Sequence, residues 1–167
     1  MTKSSLVAGP TLALLGRFVL GGLFIYMGLS KVLHPVEFLK LLRQYEIVQQ
    51  PILLNVIAGG LPWFEVFTGL LLVMGIAVRG AGLLSVGMLI PFTLAIAQRA
   101  AAIHQAQGTA FCGIRFDCGC GNGEVLICRK LVENIILIAL ACLVVAVRAP
   151  RASLYYGLFE RRSSTLV

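Results

Sequence analysis

Residues 12–30 read LALLGRFVLGGLFIYMGLS, a run broken by a single charge, Arg17. A hydrocarbon core of about 30 Å is crossed by roughly 20 mostly apolar residues in a helix. This stretch alone therefore has the length and composition of a membrane span. It reads as a retained span and not as a cleaved leader. The apolar run is long, it carries Arg17, and no small-x-small site followed by a polar segment comes after it. Three further stretches share this character, at about Leu53–Val78, Ala81–Ala97 and Leu131–Val147.

The whole chain agrees with that opening segment. Of its 167 residues 59% are hydrophobic and 13% charged, and the mean hydropathy is +0.93. Soluble domains average about 45–50% apolar residues, and so few charges cannot cover a water-facing surface. The expected fold class is all-α: a four-helix transmembrane bundle with an interfacial amphipathic helix and a Cys-rich loop before the last span. Residues 1–148 form one membrane domain and residues 149–167 a basic tail. The net charge of +7 does not indicate nucleic acid, because the bases sit at the ends of spans and make no patch. Anionic lipid headgroups are the simpler partner. A soluble enzyme has no support: there is no nucleotide loop, no Ser-His-Asp set, and only two histidines.

Four spans place both termini on one side, and basic residues favour the cytoplasm. The tail after Val147 holds Arg148, Arg151, Arg161 and Arg162 against one acid, Glu160. Arg79 lies in the short turn between the second and third spans. The termini are therefore expected in the cytoplasm and the Cys-rich stretch outside, in a periplasm-like space where disulfides persist.

Between the first two spans, residues 31–50 read KVLHPVEFLKLLRQYEIVQQ. Val36, Phe38, Leu39, Leu41, Leu42 and Tyr45 recur at helical spacing, with Lys40, Arg43, Gln44 and Glu46 between them. Pro35 suits a first helical turn. This predicts an amphipathic helix lying in the interface, a cap on the bundle or a docking surface.

Residues 112–128 read CGIRFDCGCGNGEVLIC and hold four of the five cysteines. The spacing C-x5-C-x-C-x7-C matches neither structural zinc pairs nor iron–sulfur motifs, and no metal site is assigned. Thiol–disulfide exchange needs an accessible thiolate and a nearby sulfur. Cys118-Gly119-Cys120 supplies two sulfurs across one flexible residue, which makes Cys118 and Cys120 the candidate catalytic pair. Arg115, Arg129 and Lys130 are cations that favour a thiolate. Cys112 and Cys128 are then the disulfide frame of that pair, and two static bridges pinning the loop are the competing reading. Cys142, in the apolar middle of the last span, reads as a small buried hydrophobe.

Ionisable groups within a span are costly and tend to pair or line a pathway. Arg17 and Glu65 both fall inside spans, and an ion pair between them is expected if the first two spans are antiparallel neighbours. Lys31 and His34 close the first span at the interface. Glu133 and Asn134 open the last span and are placed to hydrogen-bond between helices.

Three segments carry a family resemblance: GRFVLGGLFIYMGLSKVLHP (16–35), LPWFEVFTGLLLVMGIAVR (61–79) and FDCGCGNGEVLICRKLVENIILI (116–138). Together they resemble the DoxX-like superfamily, and within it the methylamine-utilisation MauE family, to which the D-C-G-C-G element points. The resemblance implies a four-helix membrane protein of the bacterial inner membrane, facing the periplasm. It implies an oxidoreductase-like role in maturing a disulfide-rich periplasmic dehydrogenase subunit, with a thioredoxin-like or disulfide-containing partner. It also implies a quinone as coupled electron carrier, near Glu65 and Arg17. By motif, Cys118 and Cys120 match the redox-active C-G-C pair, and Arg17, Lys31 and Glu65 match recurrent charged positions. The alternative function is a non-catalytic structural subunit or assembly factor of a larger membrane complex, its loop held by static disulfides.

Overall fold

The structure is a computed structural model that describes residues 3–45, 50–117 and 123–147, with side chains described from residue 12 onward. Two expectations fall outside these residues: the placement of Cys118 and Cys120, and the tail 149–167.

The chain is mostly helical. Helix α1 runs Lys3–Leu33, α2 Pro35–Gln44, α3 Pro51–Met74, α4 Val78–Gln107 and α5 Ile127–Ala146. Three of them, at Leu12–Leu33, Pro51–Met74 and Val78–Gln107, are long and apolar enough to cross a membrane. α5 is 20 residues long, and its first two turns carry Arg129, Lys130 and Glu133. α1 packs against α3 and α5, and α4 packs against the same two helices. Large apolar side chains such as Leu15, Ile52, Phe64, Leu83 and Ile135 are exposed on the outer surface. In a soluble protein such an apolar surface would be a liability; here it is the face that lipid covers.

Glycine sets the closest helix contact. A Cβ on Gly28 would lie 2.7 Å from the Pro62 carbonyl oxygen, and one on Gly69 would lie 2.6 Å from the Gly21 carbonyl oxygen. Small residues let membrane helices approach until backbones touch. The contacts also give the register. Gly21 faces Gly69–Val73 and Gly28 faces Pro62–Val66, so α1 and α3 are antiparallel. The α3–α4 turn is built on Gly75 (φ 73°) and Ala77 (φ 47°), both left-handed.

The core has two parts. One lies between the helices around Leu20, Phe24, Leu72, Ala81, Leu89, Ala141 and Val144. The other gathers Ile96, Ala100, Ile114 and Ile127 and carries Tyr45, Phe92, Phe111 and Phe116 against it. This second core joins α4 and α5 to the polar end of the molecule.

The connection before α5 departs from expectation. The apolar pattern ends the third span near Ala97, yet α4 continues to Gln107 and stops at Gly108 (φ 65°). The segment 99–107 is rich in Ala and Gln, good helix formers, so the helix outlasts its apolar stretch. After it come a short 3₁₀ turn, Phe111–Gly113, and an antiparallel hairpin of β1, Arg115–Asp117, and β2, Glu124–Leu126. The expected all-α loop is therefore a small two-stranded element on a helical protein. The expected interfacial helix is α2, with Pro35 in its first turn and Phe38 buried.

Candidate functional site

The hairpin is held at its base. β1 and β2 pair Arg115 with Leu126, Phe116 with Val125 and Asp117 with Glu124. The Ile127 N–H donates to the Ile114 carbonyl at 3.2 Å. One residue beyond Ile127 and two before Ile114, the chain is covalently closed. Cys112 and Cys128 form a disulfide, their Cα atoms 5.0 Å apart. Cys128 lies in the first turn of α5, so the bridge ties the hairpin directly to a helix. The Phe116 ring meets Tyr45 edge-on at 6.4 Å, which ties it to the end of α2 as well.

This pairing bounds the C-G-C segment. Asp117 and Glu124 are partners in the ladder, and Cys118 and Cys120 fall between them in the sequence. Asp117 and Gly123 both line a polar cavity of about 280 Å³, whose other walls include Ser30, Lys31, His34, Glu37 and Phe38. The cavity thus lies between the end of α1, the first turns of α2 and the hairpin residues Asp117 and Gly123.

Lys31 and Glu65 form the buried ion pair of this region. The Lys31 Nζ donates to both Glu65 carboxylate oxygens at 2.6 Å, and the side chains are only 5% and 12% exposed. The helix register explains the meeting. Lys31 lies one turn beyond Gly28, roughly level with the start of the Pro62–Val66 stretch. Helical side chains lean toward their own N-terminus. In an antiparallel pair this tilts Lys31 up α1 and Glu65 down α3, toward each other. The ammonium also sits 5.4 Å from the Phe38 ring centroid and 5.8 Å from that of Phe92. Ring faces attract cations, most strongly where water is excluded.

The expected Arg17–Glu65 pair does not form. Arg17 lies one turn from Gly21 on the side away from Gly28, level with the C-terminal end of α3. The two charges are separated along the helix axis by about ten residues, or roughly 15 Å. Arg17 is buried, 3% exposed, with its guanidinium carbon 5.0 Å from the Phe18 ring centroid. Arg17 and Glu65 therefore do not line one headgroup site.

Other expected residues separate in the same way. Arg129 binds Glu133 at 2.9 Å and is 78% exposed, and Lys130 is buried 3.6 Å from the other Glu133 oxygen. Both cations are engaged along α5. Asn134 bridges helices, donating to the Thr93 hydroxyl at 3.1 Å, while Thr93 donates to the Leu89 carbonyl at 2.6 Å. The His104 Nδ1 lies 2.6 Å from the Thr109 carbonyl oxygen and its ring packs on Phe111, so it belongs to the end of α4. Cys142 is exposed on α5, contrary to its reading as a buried hydrophobe, because α5 turns that face outward.

Sequence reasoning misses Phe92 and the partner of Lys130. Phe92 follows Pro91 within an apolar run, where nothing marks one phenylalanine above others. Lys130 reads from the sequence as a cation facing the thiols. The helical spacing of Lys130 and Glu133 at i,i+3 is the available signal for their contact.

Among known proteins, the family model for methylamine utilisation protein MauE matches residues 9–147. No curated protein and no solved structure gives a significant match.

Proposed function

Because the chain belongs to the family of methylamine utilisation protein MauE, we propose that it is a multi-pass membrane protein that exchanges disulfides with a periplasmic partner in methylamine utilisation. Cys118 and Cys120 are the exchanging pair. A thiolate on one protein attacks a disulfide sulfur on the other. A mixed disulfide forms and one thiolate leaves, to be protonated or to act next. The second thiol then closes on the mixed bond. Two electrons and two protons pass between the C-G-C pair and the partner, and no atom is left over. The partner is a thioredoxin-like or disulfide-containing protein. A quinone, when coupled, supplies a lipid-soluble store for two electrons and two protons.

The observation that carries this reading is the strand register. The paired strands flank the C-G-C segment, and the hairpin they make is closed at its base by Cys112–Cys128. The polar cavity supports the reading too, since Asp117 and Gly123, which flank the C-G-C segment in sequence, line it together with Lys31. In this reading α5 is the fourth span, the termini face the cytoplasm and the hairpin faces the periplasm of a bacterial inner membrane.

The competing reading is a structural subunit, and the Cys112–Cys128 bridge is the observation in its favour, since it holds the fold without any exchange. Trapping separates the two. With Cys120→Ser, attack by Cys118 on a disulfide peptide stops at the mixed disulfide, which appears as a mass adduct removed by reductant. Cys118→Ser tests the reverse order. A scaffold protein gives no adduct with either variant.

A further inference from the structure

The polar cavity holds one side chain that the exchange reading leaves unused. His34 lines it together with Ser30, Lys31, Glu37, Asp117 and Gly123. It is the single residue between α1 and α2, and both helices fix its backbone. Its N–H donates to the Ser30 carbonyl, and its own carbonyl accepts from the Phe38 N–H, each at 3.1 Å. The imidazole makes no capping hydrogen bond and is exposed, so its nitrogens are left to the cavity. The chain's other histidine is placed differently. His104 meets the Thr109 carbonyl oxygen and the Phe111 ring at the end of α4.

We propose that His34 carries the proton of the thiol–disulfide exchange, an inference that rests on the exchange reading and adds a residue to it. Cys118 and Cys120 fall between Asp117 and Gly123 in the sequence, and those two flanking residues are walls of the His34 cavity. The thiolate, not the thiol, attacks a disulfide sulfur. A thiol ordinarily titrates near pH 8.5, so at neutral pH it is served by a base. Among the described residues that line the cavity, four side chains ionise, and three are unsuited. Lys31 is bound to both Glu65 oxygens at 2.6 Å. Glu37 and Asp117 are carboxylates, weaker bases than a thiolate by about four pH units as a class. Imidazoles fall short by only about two units, and they take up or release a proton in the neutral range. The charges around His34 permit both of its states. Glu37 from α2 and Asp117 from β1 favour imidazolium. Lys31 from α1 opposes it, but Glu65 of α3 offsets that charge. The C-terminal end of α1 favours a cation there and the N-terminal end of α2 opposes one.

The step balances. His34 takes the proton of the attacking thiol. The thiolate bonds to one sulfur of the partner's disulfide as the S–S bond breaks, and the sulfur that leaves takes the proton back from the imidazolium. Two electrons pass to the leaving sulfur, and His34 ends as it began.

The test uses the full-length protein in nanodiscs and a water-soluble disulfide peptide. The rate of mixed-disulfide formation is followed by mass spectrometry from pH 5 to pH 9. Cys120→Ser and Cys118→Ser are both run, and whichever gives the adduct serves as the background. With His34 present, the rate is expected to rise between pH 5 and 8, where imidazoles change charge. Adding His34→Gln is expected to slow the reaction at pH 7 at least tenfold and to move the rise to that of an unassisted thiol, near pH 8.5. Free imidazole is expected to restore rate to His34→Ala, which a purely structural role would not allow. His104→Gln leaves rate and profile unchanged. An unchanged rate and profile in His34→Gln, or a loss in His34→Ala that imidazole does not restore, overturns the proposal while the adduct itself upholds the exchange reading. No adduct in either background at any pH overturns the exchange reading and the role of His34 with it.

Discussion

At the scale of single residues, the Lys31–Glu65 pair is almost wholly buried and has a large energetic consequence. Removing one partner of a buried ion pair leaves an uncompensated charge and costs about 3–5 kcal/mol, whereas replacing both with apolar groups is often neutral. Lys31→Met is therefore expected to lower thermal stability in detergent by that order. Lys31→Met/Glu65→Leu recovers most of the loss, which a melting series on the single and double variants measures. Both charged positions were legible in the sequence, as was their need for partners. The identity of the partner was not. Arg17 and Lys31 are both one long side chain away from a neighbouring helix, and only the axial register chooses between them. That register comes from backbone contact at Gly21, Gly28 and Gly69, which no hydropathy pattern shows. The Cys112–Cys128 bridge closes a chain separation of 16 residues. Opening a loop near that length returns entropy worth about 3 kcal/mol to the unfolded chain. Cys112→Ser is expected to destabilise the hairpin by about that amount, seen as faster proteolysis between β1 and β2, while the melting of the helices changes less.

Elements differ in how much of them the sequence reveals. The spans α1, α3 and α4 stand out because lipid demands length and apolarity together. The amphipathic α2 stands out because its apolar positions recur every three or four residues and Pro35 marks its start. The end of α4 does not stand out. Its last turns, from Arg99 to Gln107, bury Ala100 but are otherwise largely polar or small, and their Ala and Gln favour helix, so a hydropathy reading stops too early. The hairpin is hidden for the opposite reason. Each strand is three residues long, too short for an alternating pattern, and the disulfide takes the place of a longer ladder. The α1–α3 seam makes a prediction at this scale. Adding a side chain at Gly28 or Gly69 drives it into backbone, which cannot yield as a flexible side chain can. Overpacking of this kind costs about 1–3 kcal/mol. Gly28→Leu is expected to separate α1 from α3 and with them Lys31 from Glu65. Gly59→Leu, where nothing lies within 4 Å of the added Cβ, leaves the protein intact. Melting temperatures of the two variants in the same detergent decide the matter.

For the whole molecule, the helix directions bring the end of α1, α2, the hairpin and the start of α5 to one end. The polar cavity, the ion pair and the disulfide therefore share a single pole, and the opposite pole holds Arg17 and the α3–α4 turn. Counting spans along the sequence puts the cysteines at a membrane edge. The structure adds that Cys112 and Cys128 cap the same pole as Lys31 and Glu65. Cys142 reports on α5 as a span. Facing outward from an apolar helix, it is expected to react with a lipid-soluble maleimide and to resist a charged one until the membrane is dissolved. Equal reaction with both reagents would place α5 outside the bilayer.

The central claim is that Cys118 and Cys120 exchange while Cys112 and Cys128 hold the hairpin, all on the outer face. Redox-state mapping of the four cysteines in intact membranes, with impermeant thiol reagents added from each side, tests it most directly. The account predicts that Cys118 and Cys120 switch between labelled and unlabelled under mild reductant and oxidant, from the periplasmic side only. It predicts that Cys112 and Cys128 remain bonded until the protein is denatured. Four sulfurs locked until denaturation, or labelling of Cys118 and Cys120 from the cytoplasmic side, would contradict it.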